Sequence, residues 1–161
     1  MRYIGGKSLL LDNINSVIST EIPCVSSVVD LFAGSGIVSN NFKINGYKTV
    51  SNDYLYFSYV MSKTSIELNR KPTFKNLNIK KPLDYLNNLT LTDTDFDIDQ
   101  CFIYNNYSPT GKCERMYFQP TNALKIDIIR LTIEKWYKEE LITENEYFYL
   151  LSALINAVPF V

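Results

Sequence analysis

Histidine is absent from this chain, and cysteine and tryptophan are scarce. Without histidine there is no Ser-His-Asp triad, no Cys-His pair and no histidine metal cluster, so acid–base work falls to carboxylates, lysine or tyrosine. The three cysteines, Cys24, Cys101 and Cys113, are odd in number and show no C-x-x-C spacing. They indicate neither a disulfide framework nor a zinc site, and we expect free thiols and no bound metal.

Long hydrophobic runs are also missing. No apolar run approaches the ~20 residues of a membrane span. The residues RYIGGKSLL directly follow Met1 and leave no room for a signal peptide. The 161 residues are 46% hydrophobic and 20% charged, which is ordinary for a globular domain with one core. We therefore expect a cytoplasmic protein without a membrane partner.

The most informative segment that is present reads as a strand, a glycine turn and a helix. Apolar residues from Val28 lead into Asp30, and the chain then breaks at Gly34 and Gly36. Asp53 ends the next apolar stretch, 19 positions after Gly34. This order is typical of a doubly wound α/β sheet, in which backbone amides at the turn and an acid after the second strand bind an adenosine-type ligand.

The details of the turn bear on which ligand is bound. The dinucleotide fingerprint G-x-G-x-x-G requires a third glycine, and Ser39 stands at that position. S-adenosylmethionine has no pyrophosphate to accommodate. The turn therefore favours S-adenosylmethionine, with a dinucleotide-binding oxidoreductase as the less favoured alternative.

Several segments resemble the adenine-specific DNA methyltransferases of the Dam-like family. Residues 30–36, DLFAGSG, resemble their cofactor-binding motif, and residues 2–10, RYIGGKSLL, resemble their N-terminal motif. Further matches are Asn106-Tyr107-Ser108-Pro109, Arg115-Met116-Tyr117-Phe118, Asn122-Ala123 and Ile126-Asp127. The resemblance extends from Arg2 to about Phe160.

The resemblance implies a Rossmann-like fold that binds S-adenosylmethionine and transfers its electrophilic methyl group to the exocyclic amine of a flipped adenine in double-stranded DNA. It assigns cofactor binding to Tyr3, Lys7, Asp30, Phe32, Gly34, Gly36 and Asp53. Structural alternatives stay open for these residues. The glycines serve any tight turn, Asp30 can hold a loop by accepting N–H bonds, and Phe32 can belong to a core.

One element of the family is missing. Amino-methylating enzymes carry an Asp-Pro-Pro-Tyr motif, or an Asn or Ser variant of it, and no such tetrapeptide occurs in this sequence. No catalytic residue is assigned for that reason. We expect the chain to correspond to the N-terminal half of such an enzyme and to need a complementary C-terminal half; a non-catalytic DNA-binding or assembly subunit is the alternative.

The pattern divides the chain near residue 75. Residues 1–75 read as an α/β cofactor half with an incomplete parallel sheet: a helix capped by Ser8, a strand over Ser27–Leu31, a helix over 36–45, a strand over Lys48–Ser51 and a helix over Tyr54–Asn69. Residues 76–161 read as a mixed, mainly helical target-recognition region. Its expected helices begin at Thr121 or Asn122 and at Thr143, where Glu146 completes a capping box.

Contacts with DNA are expected in the second region, where basic residues and exposed aromatics can meet phosphates and bases. The candidates are Tyr107, Lys112, Arg115 and Arg130. The alternating aspartates from Asp93 to Asp99 suggest a calcium or magnesium loop, but the glycine and the later glutamate of an EF-hand are missing, so a solvated loop is favoured.

Overall fold

The computed structural model describes residues 6–110, 112–113 and 115–160. It divides into two compact units, Met1–Lys71 and Pro72–Val161. The first unit contains helices and a small sheet, and the described part of the second is helical. The chain is therefore a mixed α/β protein, and Tyr3 lies outside the described residues.

The first unit is built around a two-stranded parallel sheet. Its α-helices and strands are α1 (Leu11–Glu21), β1 (Ser27–Asp30), α2 (Ile37–Ile44), β2 (Lys48–Ser51) and α3 (Tyr56–Ser62). Ser27 pairs with Lys48 and Asp30 with Ser51, so both strands end at the same edge of the sheet. Helix α2 is the crossover that a parallel pair requires.

Two expectations for this unit need correction. Ser8 is not an N-cap residue; it opens a 3-10 turn, Ser8–Leu10, and α1 begins only at Leu11, with Leu10 as its N-cap. The expected helix over Tyr54–Asn69 begins at Tyr56 and continues after α3 as a π-helical turn, Lys63–Glu67. The Nζ of Lys43 donates to the carbonyls of Ser65 and Leu68 at this end, which satisfies acceptors that the wider turn leaves free.

The second unit contains α4 (Pro82–Asn88), α5 (Phe102–Tyr107), α6 (Pro120–Lys138) and α7 (Glu144–Ala157). Helices α6 and α7 supply much of its apolar core, which includes Ile133, Trp136 and Leu150. The Thr143–Glu146 capping box is confirmed. The predicted start of α6 was wrong, because Pro120 occupies the first turn, where its missing N–H costs nothing.

Candidate functional site

The candidate cofactor site lies where β1 and β2 end. Because the strands are parallel and in register, the residues that follow Asp30 and Ser51 emerge side by side. The N–H of Asn52 donates to the carbonyl of Asp30 at 2.8 Å, and the N–H of Ala33 donates to the carbonyl of Asn52 at 3.0 Å. These two bonds hold the glycine turn against the segment that carries Asp53.

Both glycines of the turn have left-handed backbones. Gly34 has φ 54° and Gly36 has φ 75°, a region that strains L-amino acids. A Cβ on Gly36 would also come within 3.4 Å of the Oγ of Ser65. Turn geometry therefore explains both glycines, and their N–H groups are bonded within the protein, that of Gly34 to Asp53 and that of Gly36 to the carbonyl of Ala33.

Asp53 is bonded to this turn. Its Oδ2 accepts the N–H of Gly34 at 2.7 Å, and its Oδ1 accepts the N–H of Leu55 at 3.0 Å. The N–H groups of Leu55 and then Gly34 lower the pKa of the Asp53 carboxyl, because they stabilise the charged form. A carboxylate that is ionised at neutral pH is thus fixed beside the glycine turn.

Asp30 has a different environment. Its Oδ2 accepts the hydroxyl of Ser39 at 2.7 Å, and the chain of hydroxyls continues from Ser39 to Ser51 at 3.2 Å and from Ser51 to Ser62 at 3.0 Å. Ser39 is fully buried. The network joins β1, α2, β2 and α3, so Asp30 has a structural role here, and its contact with a cofactor stays a prediction.

A cleft of about 190 Å³ opens at the turn. Its lining residues are Gly6, Lys7, Phe32, Ala33, Gly34, Ser35, Ile37, Val38 and Asp53. Four predicted residues, Lys7, Phe32, Gly34 and Asp53, therefore meet at one cavity. Phe32 is 81% exposed, so its ring belongs to the surface rather than to a core.

Sequence reasoning missed other residues of this site. Ile37 and Val38, in the first turn of α2, give the cleft an apolar wall. Tyr54, which follows Asp53, is 99% exposed but does not line the cleft. The only signal that the sequence offered for Tyr54 was an aromatic residue directly after the acid.

A second candidate surface lies in the unit Pro72–Val161, around Tyr107. The guanidinium carbon of Arg115 lies 5.6 Å from the centroid of the Tyr107 ring, within the range of a cation–π contact. The rings of Tyr107 and Tyr117 are 6.3 Å apart, and those of Tyr117 and Phe118 are 4.7 Å apart. We call Tyr107, Arg115, Met116, Tyr117 and Phe118 the aromatic–arginine surface; Met116 and Tyr117 are largely exposed.

The other predicted DNA-contacting cations have carboxylate partners. Lys112 pairs with Asp99 at 3.0 Å, and both side chains are exposed. Arg130 pairs at 3.2 Å with Asp127, which is fully buried. Asp99, a member of the aspartate run, therefore lies beside Lys112 and reduces the positive charge around it.

The aspartate run is engaged by protein groups. Asp93 and Asp97 each belong to a capping box, with Thr90 and Gln100 respectively, and the hydroxyl and N–H of Thr90 lower the pKa of Asp93. Asp95 pairs with Lys135 at 2.9 Å. Among the described residues, no cluster of three potential metal ligands occurs, and no helix is long and apolar enough to cross a membrane.

Comparisons with known proteins give consistent matches. The family model of the D12 class N6 adenine-specific DNA methyltransferases matches residues 3–161. The chain is 49% identical to the type II methyltransferase M.FokI of Planomicrobium okeanokoites, covering 100% of this chain and 25% of that protein. It is 46% identical to the modification methylase StsI of Streptococcus sanguinis, covering 100% of this chain and 24% of that protein.

The match covers a larger share of a more distant relative. The type II methyltransferase M.NlaIII of Neisseria lactamica is 33% identical over 97% of this chain and 44% of its own length. The chain thus spans a quarter to less than half of these relatives. No solved structure gives a significant match.

Proposed function

The chain belongs to the D12 class of N6 adenine-specific DNA methyltransferases, and on this premise we propose that it forms the S-adenosylmethionine pocket and part of the DNA-contacting surface of such an enzyme. The whole enzyme would transfer a methyl group to the exocyclic amine of adenine in double-stranded DNA. A cytoplasmic location is part of the same proposal.

The observation that carries the proposal is the joint placement of Lys7, Asp53 and the Gly34 turn at one cleft. S-adenosylmethionine has a carboxylate and a ribose with two hydroxyls. Lys7 offers an ammonium donor for the carboxylate, and charge-assisted bonds of this kind are stronger than neutral ones. A carboxylate oxygen can accept more than one hydrogen bond, so the Asp53 carboxylate, which accepts the N–H groups of Gly34 and Leu55, also suits ribose hydroxyls.

The size of the cleft fits a partly built site. Ligand pockets usually measure about 300–1,000 Å³, whereas this cleft measures about 190 Å³. One part of the cofactor would therefore be held by residues beyond this cleft. Tyr3 is a candidate that the family resemblance assigns, and Tyr54 is a candidate by its exposure beside Asp53.

The position of the missing third glycine supports S-adenosylmethionine over a dinucleotide. In dinucleotide-binding proteins that glycine lets the helix approach the strand closely. Here the fully buried hydroxyl of Ser39 donates to Asp30 on β1 and lies 3.2 Å from the hydroxyl of Ser51 on β2, which joins α2 to both strands. The chain therefore uses a hydrogen bond where the dinucleotide motif uses a bare backbone.

The exposed side of the sheet supports a complementary polypeptide. Val29 on β1 and Val50 on β2 are 60% and 52% exposed, and they are paired neighbours on one face. Apolar residues on a parallel sheet are normally covered on both faces. We infer a Rossmann-like fold that further strands and helices complete, supplied by the part of the enzyme that the relatives contain and this chain lacks.

We propose that the complementary part of the enzyme also supplies the catalytic tetrapeptide. S-adenosylmethionine, when bound, supplies an electrophilic methyl group. The residues of this chain bind and orient it, but the acceptors that localise the lone pair of the adenine amine would come from the complementary part. A non-catalytic DNA-binding or assembly subunit derived from such an enzyme is the alternative.

Titration calorimetry tests the cofactor proposal. The chain should bind S-adenosylmethionine or its demethylated product and should not bind nicotinamide dinucleotides. Replacing Lys7 with Ala should weaken binding, whereas the matched variant Lys48→Ala, at an exposed lysine of β2 outside the cleft, should not. Equal binding of the dinucleotide would refute the assignment.

A further inference from the structure

Helix α5 begins without a local cap. Its N-cap residue is Cys101, whose thiol makes no capping bond and which is fully buried. Serine, threonine, aspartate and asparagine are the residues that cap helices well, because a side-chain oxygen can accept a free N–H of the first turn. A helix of six residues is marginal by itself. Its first turn therefore needs an acceptor from elsewhere in the fold.

Asp127 supplies that acceptor from the middle of α6. Its Oδ2 accepts the N–H of Tyr104, in the first turn of α5, at 2.8 Å. Its Oδ1 accepts from the guanidinium of Arg130 at 3.2 Å. Asp127 is completely buried, and a buried carboxylate is tolerated only when its oxygens are bonded and its charge is paired. The charge of Asp127 also contributes, after burial, to raising the pKa of the Cys101 thiol.

Helix α5 in turn holds the segment that carries the aromatic–arginine surface. The N–H of Cys113 donates to the carbonyl of Asn105 at 3.1 Å, and the N–H of Phe118 donates to the carbonyl of Tyr107 at 3.0 Å. Arg115 lies between these two anchor points and contacts the ring of Tyr107. The orientation of α5 therefore sets the position of Arg115.

We propose that Asp127 is a positioning residue for DNA binding, a long-range helix cap that orients α5 and through it the aromatic–arginine surface. This inference rests on the proposed function in one respect, the contact of that surface with DNA. It also gives Arg130 a different task from the one expected from sequence. Arg130 balances the buried charge of Asp127 rather than serving first as a phosphate contact.

Second-site rescue tests the proposal on the 161-residue chain. Hydrogen exchange is measured at the amides of Tyr104, Cys113 and Phe118, and DNA affinity by fluorescence anisotropy with a labelled, unmethylated duplex of mixed sequence. Asp127→Ala should speed exchange at these amides by about fivefold or more, the ratio that matches the typical loss of a helix cap, and should weaken DNA binding. Asp127→Asn keeps an acceptor for Tyr104 and should show a smaller effect.

The rescue is the replacement Cys101→Ser, which places a conventional capping hydroxyl at the start of α5. Combined with Asp127→Ala, it should restore both slow exchange and DNA affinity. If Asp127→Ala does not fold, the same comparison is made with Asp127→Asn alone and with Cys101→Ser. A merely structural role in the core would not be rescued by a new cap on α5.

Ile133→Val is the matched control, because Ile133 is a fully buried core residue of the same helix. It should leave exchange at Cys113 and Phe118 unchanged; equal acceleration in this control would overturn the proposal. Unchanged exchange in Asp127→Ala, or failure of Cys101→Ser to rescue, would also overturn it. If instead exchange responds as expected but Arg115→Ala binds DNA as well as the parent, the positioning of α5 stands and the proposed DNA contact fails.

Discussion

Replacing Asp53 tests the candidate cofactor site most directly. In the parent chain each carboxylate oxygen of Asp53 accepts one backbone N–H, from Gly34 and from Leu55. Asp53→Ala removes these two acceptors and the proposed acceptors for ribose hydroxyls at once. The turn loses one of its links to the segment after β2, and the cleft loses the negative charge of Asp53.

The size of the effect follows from the kind of bond that is lost. Hydrogen bonds to charged groups contribute about 1.5–3 kcal/mol, which corresponds to roughly 10- to 150-fold in affinity. Asp53 is only half-buried, and water screens exposed charges. We therefore expect the lower end, about 10-fold weaker binding of the demethylated cofactor product.

Asp53→Asn refines the test. An asparagine has one acceptor oxygen and one NH2 group, so it can satisfy Gly34 or Leu55 but not both. Its affinity should fall between those of the parent and the alanine variant. Asp12→Ala removes an exposed acid from α1 in the same unit and should leave the affinity unchanged.

Titration calorimetry gives the affinities, and the exchange rate of the Gly34 amide reports on the turn. Faster exchange at Gly34 with unchanged affinity would show that Asp53 only shapes the turn. Equal affinity and equal exchange in Asp53→Ala and the parent would refute the reasoning about this site altogether.

Four further outcomes are expected. The isolated chain should show no transfer of tritiated methyl groups to unmethylated duplex DNA, because losing transition-state hydrogen bonds lowers the rate about 100- to 1,000-fold per group. Adding the complementary part of the enzyme should restore turnover, and robust transfer by the chain alone would contradict the proposal. Gly36→Ala should lower the free energy of unfolding by about 1–3 kcal/mol in urea titrations, because φ 75° strains alanine, whereas Ser35→Ala should not. Burial raises the pKa of the Cys101 thiol above its ordinary value of 9.0. The contribution of this thiol to the free energy of unfolding is therefore fully present below pH 9 and is lost as the pH rises through the folded-state pKa. Cys101→Ser should remove part of this alkaline loss, and identical pH profiles of stability for the variant and the parent would exclude the contribution. Arg115→Ala should weaken binding to duplex DNA and reduce the slope of log affinity against log salt by about 1, and an unchanged slope would mean that Arg115 does not contact phosphate.

Short-range chemistry made several features predictable. The residues of β2 were predicted correctly, and those of β1 to within one position, because short apolar runs end at turn-forming residues. Gly34 and Gly36 predicted a turn because few other residues tolerate its left-handed backbone. The Thr143–Glu146 box was visible because its partners are three residues apart.

Long-range bonds were not visible in the same way. Nothing local to Ser39 indicates that its hydroxyl joins Asp30, and nothing local to Asp127 indicates that it caps a helix 23 residues away. The expected helix from Tyr54 and the expected cap at Ser8 failed because propensity is a weak guide to element ends.

The sequence by itself therefore determined the order strand, glycine turn, helix and strand, and the resemblance to methyltransferases that its motifs carry. Those features depend on backbone sterics and on spacing along the chain. Tertiary structure alone decided that the Asp53 carboxylate bonds to Gly34, that Asp30 bonds inward to Ser39, and that Asp127 accepts the N–H of Tyr104 in α5. A hydrogen bond needs its two atoms within about 3 Å, and only the folded chain brings such distant residues that close.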